Sequence, residues 1–172
     1  MSSSKVAKAQ LRVLAVALFM AMLAAHPSAV FACSCMWAGG FLTVAPNAEI
    51  VVHVRVRDYH GRNRKVDLAM DVLVLERLKG PPIARDIRIW GDNGALCRPY
   101  VSAFPRGSEW ILAIRPQAAE MPGRSDYYIP GCGAYWLKVE NGRVRGHIRA
   151  GAPGMPEQEE PLESLRHALG AR

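Results

Sequence analysis

The chain carries no HExxH, GxSxG, phosphate-loop or dinucleotide fingerprint. Zinc-peptidase, serine-hydrolase, nucleotide-hydrolase and Rossmann chemistry therefore have no motif to stand on. Aromatic residues make up only 8% of the sequence. They do not recur at the intervals that would stack successive bases, which argues against a nucleic-acid partner. There is no internal repeat, and compositional bias is confined to one acidic, proline-containing link, Pro153 to Glu160. The longest apolar run, Val13 to Ala25, has 13 residues. A membrane-spanning helix needs about 20, so no membrane span is expected.

Paired catalytic groups are also missing. Asp67 and Asp71 share a strand face, but at strand rise about 13 Å separates them, too far for an acid and base acting together. His53, His60, His147 and His167 have no partner at ligand spacing, and solvated or structural roles fit them better. The reading is a non-enzyme without a cofactor.

What is present begins at the amino terminus. Lys5, Lys8 and Arg12 precede the apolar run, His26-Pro27-Ser28 breaks it, and Val30-Phe31-Ala32 places small residues at the two positions a signal peptidase reads. Residues 1–32 thus read as a cleaved secretory signal, in preference to an uncleaved anchor. Lipidation of Cys33 is the competing fate, and bulky Phe31 argues against it. The location is secreted or periplasmic. Cleavage after Ala32 leaves 140 of the 172 residues and lowers the formal charge from +7 to +4, because three cations leave with the signal. That length suits one domain with a proper core.

The mature chain keeps Cys33, Cys35, Cys97 and Cys132. An even count in an exported chain reads as disulfides, with three pairings open in principle. Cys33 and Cys35 are too close to bridge one another without strain. A four-cysteine zinc site would want CxxC spacing, which is absent.

Alternating apolar residues predict strands over Ala48–Arg57, Val66–Leu78, Asp86–Trp90 and Glu109–Arg115, with a shorter one near Tyr127–Ile129. Asp58 to Lys65 reads as a turn, and Lys79-Gly80-Pro81-Pro82 as a stop. Asn141-Gly142 between Ala134–Glu140 and Arg143–Ile148 is a hairpin signal. Leu162, Leu165, Ala168 and Leu169 recur at helical spacing ahead of Gly170. Five or more short strands with a terminal helix suggest an all-β domain over residues 33–150, then a linker and amphipathic helix over 151–172; a small barrel is expected, and the pattern alone does not separate it from a sandwich.

A mature start on Cys33 would put a free amine, a carbonyl and two thiols into three residues. In an extended Cys33-Ser34-Cys35 the two cysteines face one side and Ser34 the other. The α-amino pKa of about 7.7 to 8.0 leaves part of it neutral at pH 7. That nitrogen and the Cys33 carbonyl oxygen can close a five-membered chelate ring on one metal, displacing the water of an open catalytic zinc site.

These residues resemble the netrin-like module, in particular the N-terminal domain of the tissue inhibitors of metalloproteinases. The resemblance rests on Cys33-Ser34-Cys35, Asn47 to Val52, Leu78-Lys79-Gly80-Pro81, Asp86 to Ile89, Ala95-Leu96-Cys97, Glu109 to Ala113 and the segment ending at Cys132. It covers about residues 33 to 140. It implies an OB-like barrel with bridges Cys33–Cys97 and Cys35–Cys132. It further implies that the Cys33 amine and carbonyl chelate the zinc of a target protease. Ser34 would enter that protease's specificity pocket, with Gly94, Ala95 and Leu96 adding contacts beside Cys35. The inhibitors' third bridge in this domain has no cysteines here. The alternative is an exported binding module without protease inhibition, taking a protein or a polyanion through Arg55, Arg57, Arg62, Arg64 and Lys65.

Overall fold

The alternation of Ile50, Val52, Val54 and Val56 produces a strand, as expected, and that strand closes a barrel. The computed structural model describes residues 36–63, 66–118, 126–149, 151 and 154–171. The signal segment, Cys33, Ser34, Cys35, Arg64 and Lys65 lie outside the described residues. Strand β1 (Ile50–Asn63) pairs antiparallel with β2 (Val66–Lys79), Val54 opposite Val74 and Val56 opposite Val72. β2 pairs with β3 (Asp86–Trp90), Met70 opposite Ile89. β3 runs parallel to β5 (Asp126–Tyr128), which pairs antiparallel with β4 (Glu109–Gln117). β4 returns to β1, Leu112 opposite Val52 and Trp110 opposite Val54. The circuit 1-2-3-5-4-1 is a closed five-stranded barrel.

The interior follows from the two-residue period. Ile50, Val52, Val54 and Val56 meet Met70, Val72, Ile87, Ile89, Leu112 and Ile114, none more than 3% exposed. Burying each such side chain contributes about 1.5–3 kcal/mol. The other face of β1 is covered too. Val51 is fully buried and His53 is 8% exposed. Of the solvated and structural roles expected for His53, the structure shows the structural one.

β1 runs further than the sequence indicated, whereas β2 matches its expected span to within one residue. The segment from Asp58, read as a turn, continues as strand to Asn63. Near the point where that extension leaves the barrel, the Tyr59 hydroxyl donates to the Phe104 carbonyl at 3.0 Å, and the Arg106 guanidinium lies 4.8 Å over the Tyr59 ring.

The sheet also continues beyond the barrel. β4 carries β6 (Trp136–Glu140) on the edge away from β1, followed by β7 (Arg143–Gly146) and β8 (Gln158–Pro161). Asn141 (φ 51°) and Gly142 (φ 72°) make the expected tight turn between β6 and β7, both in the left-handed region. β8 was read as link, because Gln158-Glu159-Glu160 has no apolar residue to betray a strand. Its ladder to β7 is accompanied by ion pairs, Arg143 with Glu159 and Arg149 with Glu160 at 2.9 Å.

Two short helices complete the fold. α1 (Phe41–Val44) buries Phe41 and Val44 and leads into a 3-10 turn over Ala45–Asn47. Lys79 ties that turn to the end of β2. Its ammonium donates to the carbonyls of Ala45, Pro46 and Ala48 at 3.0, 2.5 and 2.8 Å. All three of its protons are used. α2 (Leu162–Leu169) forms where the sequence placed it, buries Leu162 and Leu165, and ends at Gly170 in the left-handed conformation. Arg166 joins it to β2 through Glu76, at 2.6 Å from Nη2 and 3.1–3.2 Å from Nε.

Two predictions come from these contacts. Lys79→Met should lower stability by about 1–3 kcal/mol, since it removes charged donors from three carbonyls; urea unfolding of the single mutant measures this. The second concerns His53, whose pKa is lowered by burial against the opposing pull of Glu109 at 2.9 Å. With the folded pKa below the unfolded value of about 6.5, this contribution is complete above that value. It is lost as pH falls from about 6.5 towards the folded pKa. Melting temperatures of wild type and His53→Gln across that window should diverge at neutral pH and converge on acidification.

Candidate functional site

Asp92 builds the loop that carries Ala95 and Leu96. Asp92 is 6% exposed, and its carboxylate accepts the backbone N–H groups of Gly94 (2.5 Å), Leu96 (3.2 Å) and Arg98 (3.1 Å). Burial raises the Asp92 pKa, but the converging N–H groups outweigh it and the net shift is downward. The loop is thus wound around one anion. It leaves Ala95 exposed and Leu96 47% exposed. Asp92 was not singled out from the sequence.

The loop ends at Cys97, in the left-handed region at φ 52°. Its carbonyl lies against Gly131, where an added Cβ would come within 2.1 Å of the Cys97 oxygen. Only glycine permits that approach. Cys97 is therefore held beside Gly131-Cys132. Neither Cys97 nor Cys132 is a free thiol.

The segment following Cys35 arrives at the same corner. Ala38 N–H donates to the Cys132 carbonyl at 2.8 Å. Phe41 and Leu42 N–H donate to His147 and Ile148 carbonyls, each at 2.8 Å. Met36, the first described residue, is 92% exposed. Residues 36–38, the end of the Asp92 loop at Cys97 and Gly131-Cys132 thus meet. Cys33, Ser34 and Cys35 themselves fall outside the described residues.

The basic cluster looks different from its sequence. Arg55 Nη2 lies 2.5 Å from Glu109, Arg57 3.7 Å from Asp86 and Arg62 3.9 Å from Asp67. Each described arginine of the set has a carboxylate beside it, which reduces the field a polyanion would meet.

A second feature escaped the sequence reading. Trp110 is opposite Lys138, Leu112 opposite Trp136, and Lys138 opposite Arg145 across β4, β6 and β7. Directly opposed residues share a face, so Trp110, Trp136, Lys138 and Arg145 line one surface. Phe104 sits edge-on to both indoles, with centroids at 4.8 and 6.0 Å. Trp37 closes the space from the chain start; its ring is 5.9 Å from His147 and its Nε1 donates to the Gly151 carbonyl. The result is a cleft of about 180 Å³, with Glu157 also in its wall. Its aromatics come from separate segments, so no local pattern announced it.

Among the described residues, no three His, Cys, Asp or Glu side chains gather as a metal site, and no helix is long and apolar enough to cross a membrane. No known protein family matches the chain, and no curated protein matches it.

The Asp92 geometry sets a third prediction. Asp92→Asn turns one acceptor oxygen into a donor facing backbone N–H groups and should cost about 1–3 kcal/mol. The folded pKa is depressed, so the wild-type advantage holds above the unfolded value of about 3.9 and fades as pH drops below it. Thermal melts of both proteins from neutral to acid pH should show the gap closing.

Proposed function

We propose that the chain is an exported inhibitor-like module that binds a zinc metalloprotease through its mature amino terminus. On this reading the signal is cut after Ala32. The Cys33 amine and carbonyl chelate the protease zinc, Ser34 enters the specificity pocket, and Ala95 and Leu96 contact the protease beside them. The bridges are Cys33–Cys97 and Cys35–Cys132, on an OB-like barrel.

The observation that carries the proposal is the Ala38 N–H to Cys132 carbonyl hydrogen bond. It ties the chain three residues after Cys35 to the cysteine assigned to Cys35. The absence of a free thiol at Cys97 and Cys132 supports a bridge at each of them. The strand circuit 1-2-3-5-4-1 supports the OB-like assignment. A terminus held at such a corner would bind without a large ordering cost. The exposed Leu96, on a loop fixed by Asp92, offers apolar area next to it.

The test is a single added residue. Protein secreted with one extra alanine before Cys33 moves the free amine off the chelating atom and should lose inhibition of zinc endopeptidases that the native form inhibits. Equal inhibition by both forms, or none by the native form across such a panel, overturns the proposal. Intact-mass analysis of the exported protein reads the cleavage point, any lipid on Cys33 and the number of disulfides.

A further inference from the structure

The cleft among the tryptophans has a chemistry of its own, independent of Cys33. Its walls combine indole surface from Trp37, Trp110 and Trp136 with polar groups that are already charge-balanced. Lys138 Nζ is 2.6 Å from Glu140, and Arg145 Nε is 3.2 Å from Glu157. Two of the indole N–H groups are occupied, Trp110 by the Ser108 hydroxyl at 2.6 Å and Trp37 by the Gly151 carbonyl. Those two rings therefore offer the cleft apolar surface and no N–H donor.

This combination narrows the ligand. An acyl chain would prefer walls free of charge, and here Lys138, Arg145 and Glu157 share the lining. A phosphate or sulfate would find both cations engaged and the Glu157 carboxylate beside them. A neutral ring with one C–H face and a rim of hydroxyls meets both requirements. Its C–H face packs on indole carbon, and neighbouring hydroxyls donate to Glu157 and accept from Arg145. The volume of about 180 Å³ is that of one small ring rather than a drug-sized ligand. We propose that the cleft formed by Trp37, Trp110, Trp136, Arg145, His147 and Glu157 binds a single neutral sugar ring, such as the end of a glycan.

The experiment uses the mature secreted protein and a panel of methyl glycosides of glucose, galactose, mannose and N-acetylglucosamine. Binding is read by saturation-transfer NMR and by tryptophan fluorescence. At least one glycoside should show transfer from the protein and change the emission. Trp136→Ala should weaken that binding by about three- to tenfold. Glu157 is exposed, so Glu157→Gln retains the fold and serves where Trp136→Ala does not fold; it should weaken binding several-fold. Leu96→Ser, at the protease-facing loop, should leave it unchanged. The proposal is overturned if no glycoside shows transfer, if Glu157→Gln binds as well as wild type, or if the emission responds to peptides and to no glycoside.

Discussion

Everything in this fold hangs on β1 being hydrogen-bonded along both edges. Over Val51 to Arg55 it pairs with β2 on one side and with β4 on the other. That double pairing turns a meander into a barrel and leaves no free edge between β1 and β4. It also fixes β4, whose far edge is divided between two strands: β5 takes Arg115 to Gln117 and β6 takes Glu109 to Leu112. β5 closes the barrel, whereas β6 begins the extension that supports the tryptophan cleft. Slipping β1 by one residue would turn Ile50, Val52, Val54 and Val56 out of the interior, so register, core and both candidate sites are set together.

The parts legible in the sequence are those whose cause is local. Asn141-Gly142 specifies its hairpin because both residues tolerate the left-handed backbone the turn demands. Leu162 and Leu165 specify α2 by spacing, and Gly170 ends it. The alternating valines specify the barrel strands. What was not legible depends on partners far along the chain. Gln158-Glu159-Glu160 becomes a strand because Arg143, Arg145 and Arg149 face it, and Gln158 accepts the N–H groups of Ile148 and Arg149 at 3.1 and 2.8 Å. His53 looks like a surface residue until Glu109, 56 positions away, supplies its hydrogen bond. At the candidate site the reading placed Ala95 and Leu96 on an exposed loop, but not the aspartate at its centre.

Charge behaves in the same way. An excess of basic residues suggests a surface field, yet many of the described cations stand beside carboxylates. Arg55 with Glu109, Arg106 with Asp58 at 2.6 Å and Arg166 with Glu76 join different elements. Exposed pairs of this kind contribute about 0–1 kcal/mol each, so their effect on stability is modest. Their effect on recognition is larger. Cations already facing carboxylates attract a polyanion weakly, and surfaces with apolar content gain relative importance as contact sites.

Two such surfaces lie on either side of one short segment. The backbone of Ala38 is bonded to Cys132, on the side of the Asp92 loop, while the Trp37 side chain turns to His147 and Gly151 and closes the cleft. One segment serves both because the first contact is made by backbone and the second by a side chain. Displacing residues 36–38 would therefore open the cleft and release the corner at Cys132 together. The two proposed sites use different chemistry, one the Cys33 terminus and one an aromatic wall. They nonetheless share this segment, so a substitution within residues 36–38 reaches both.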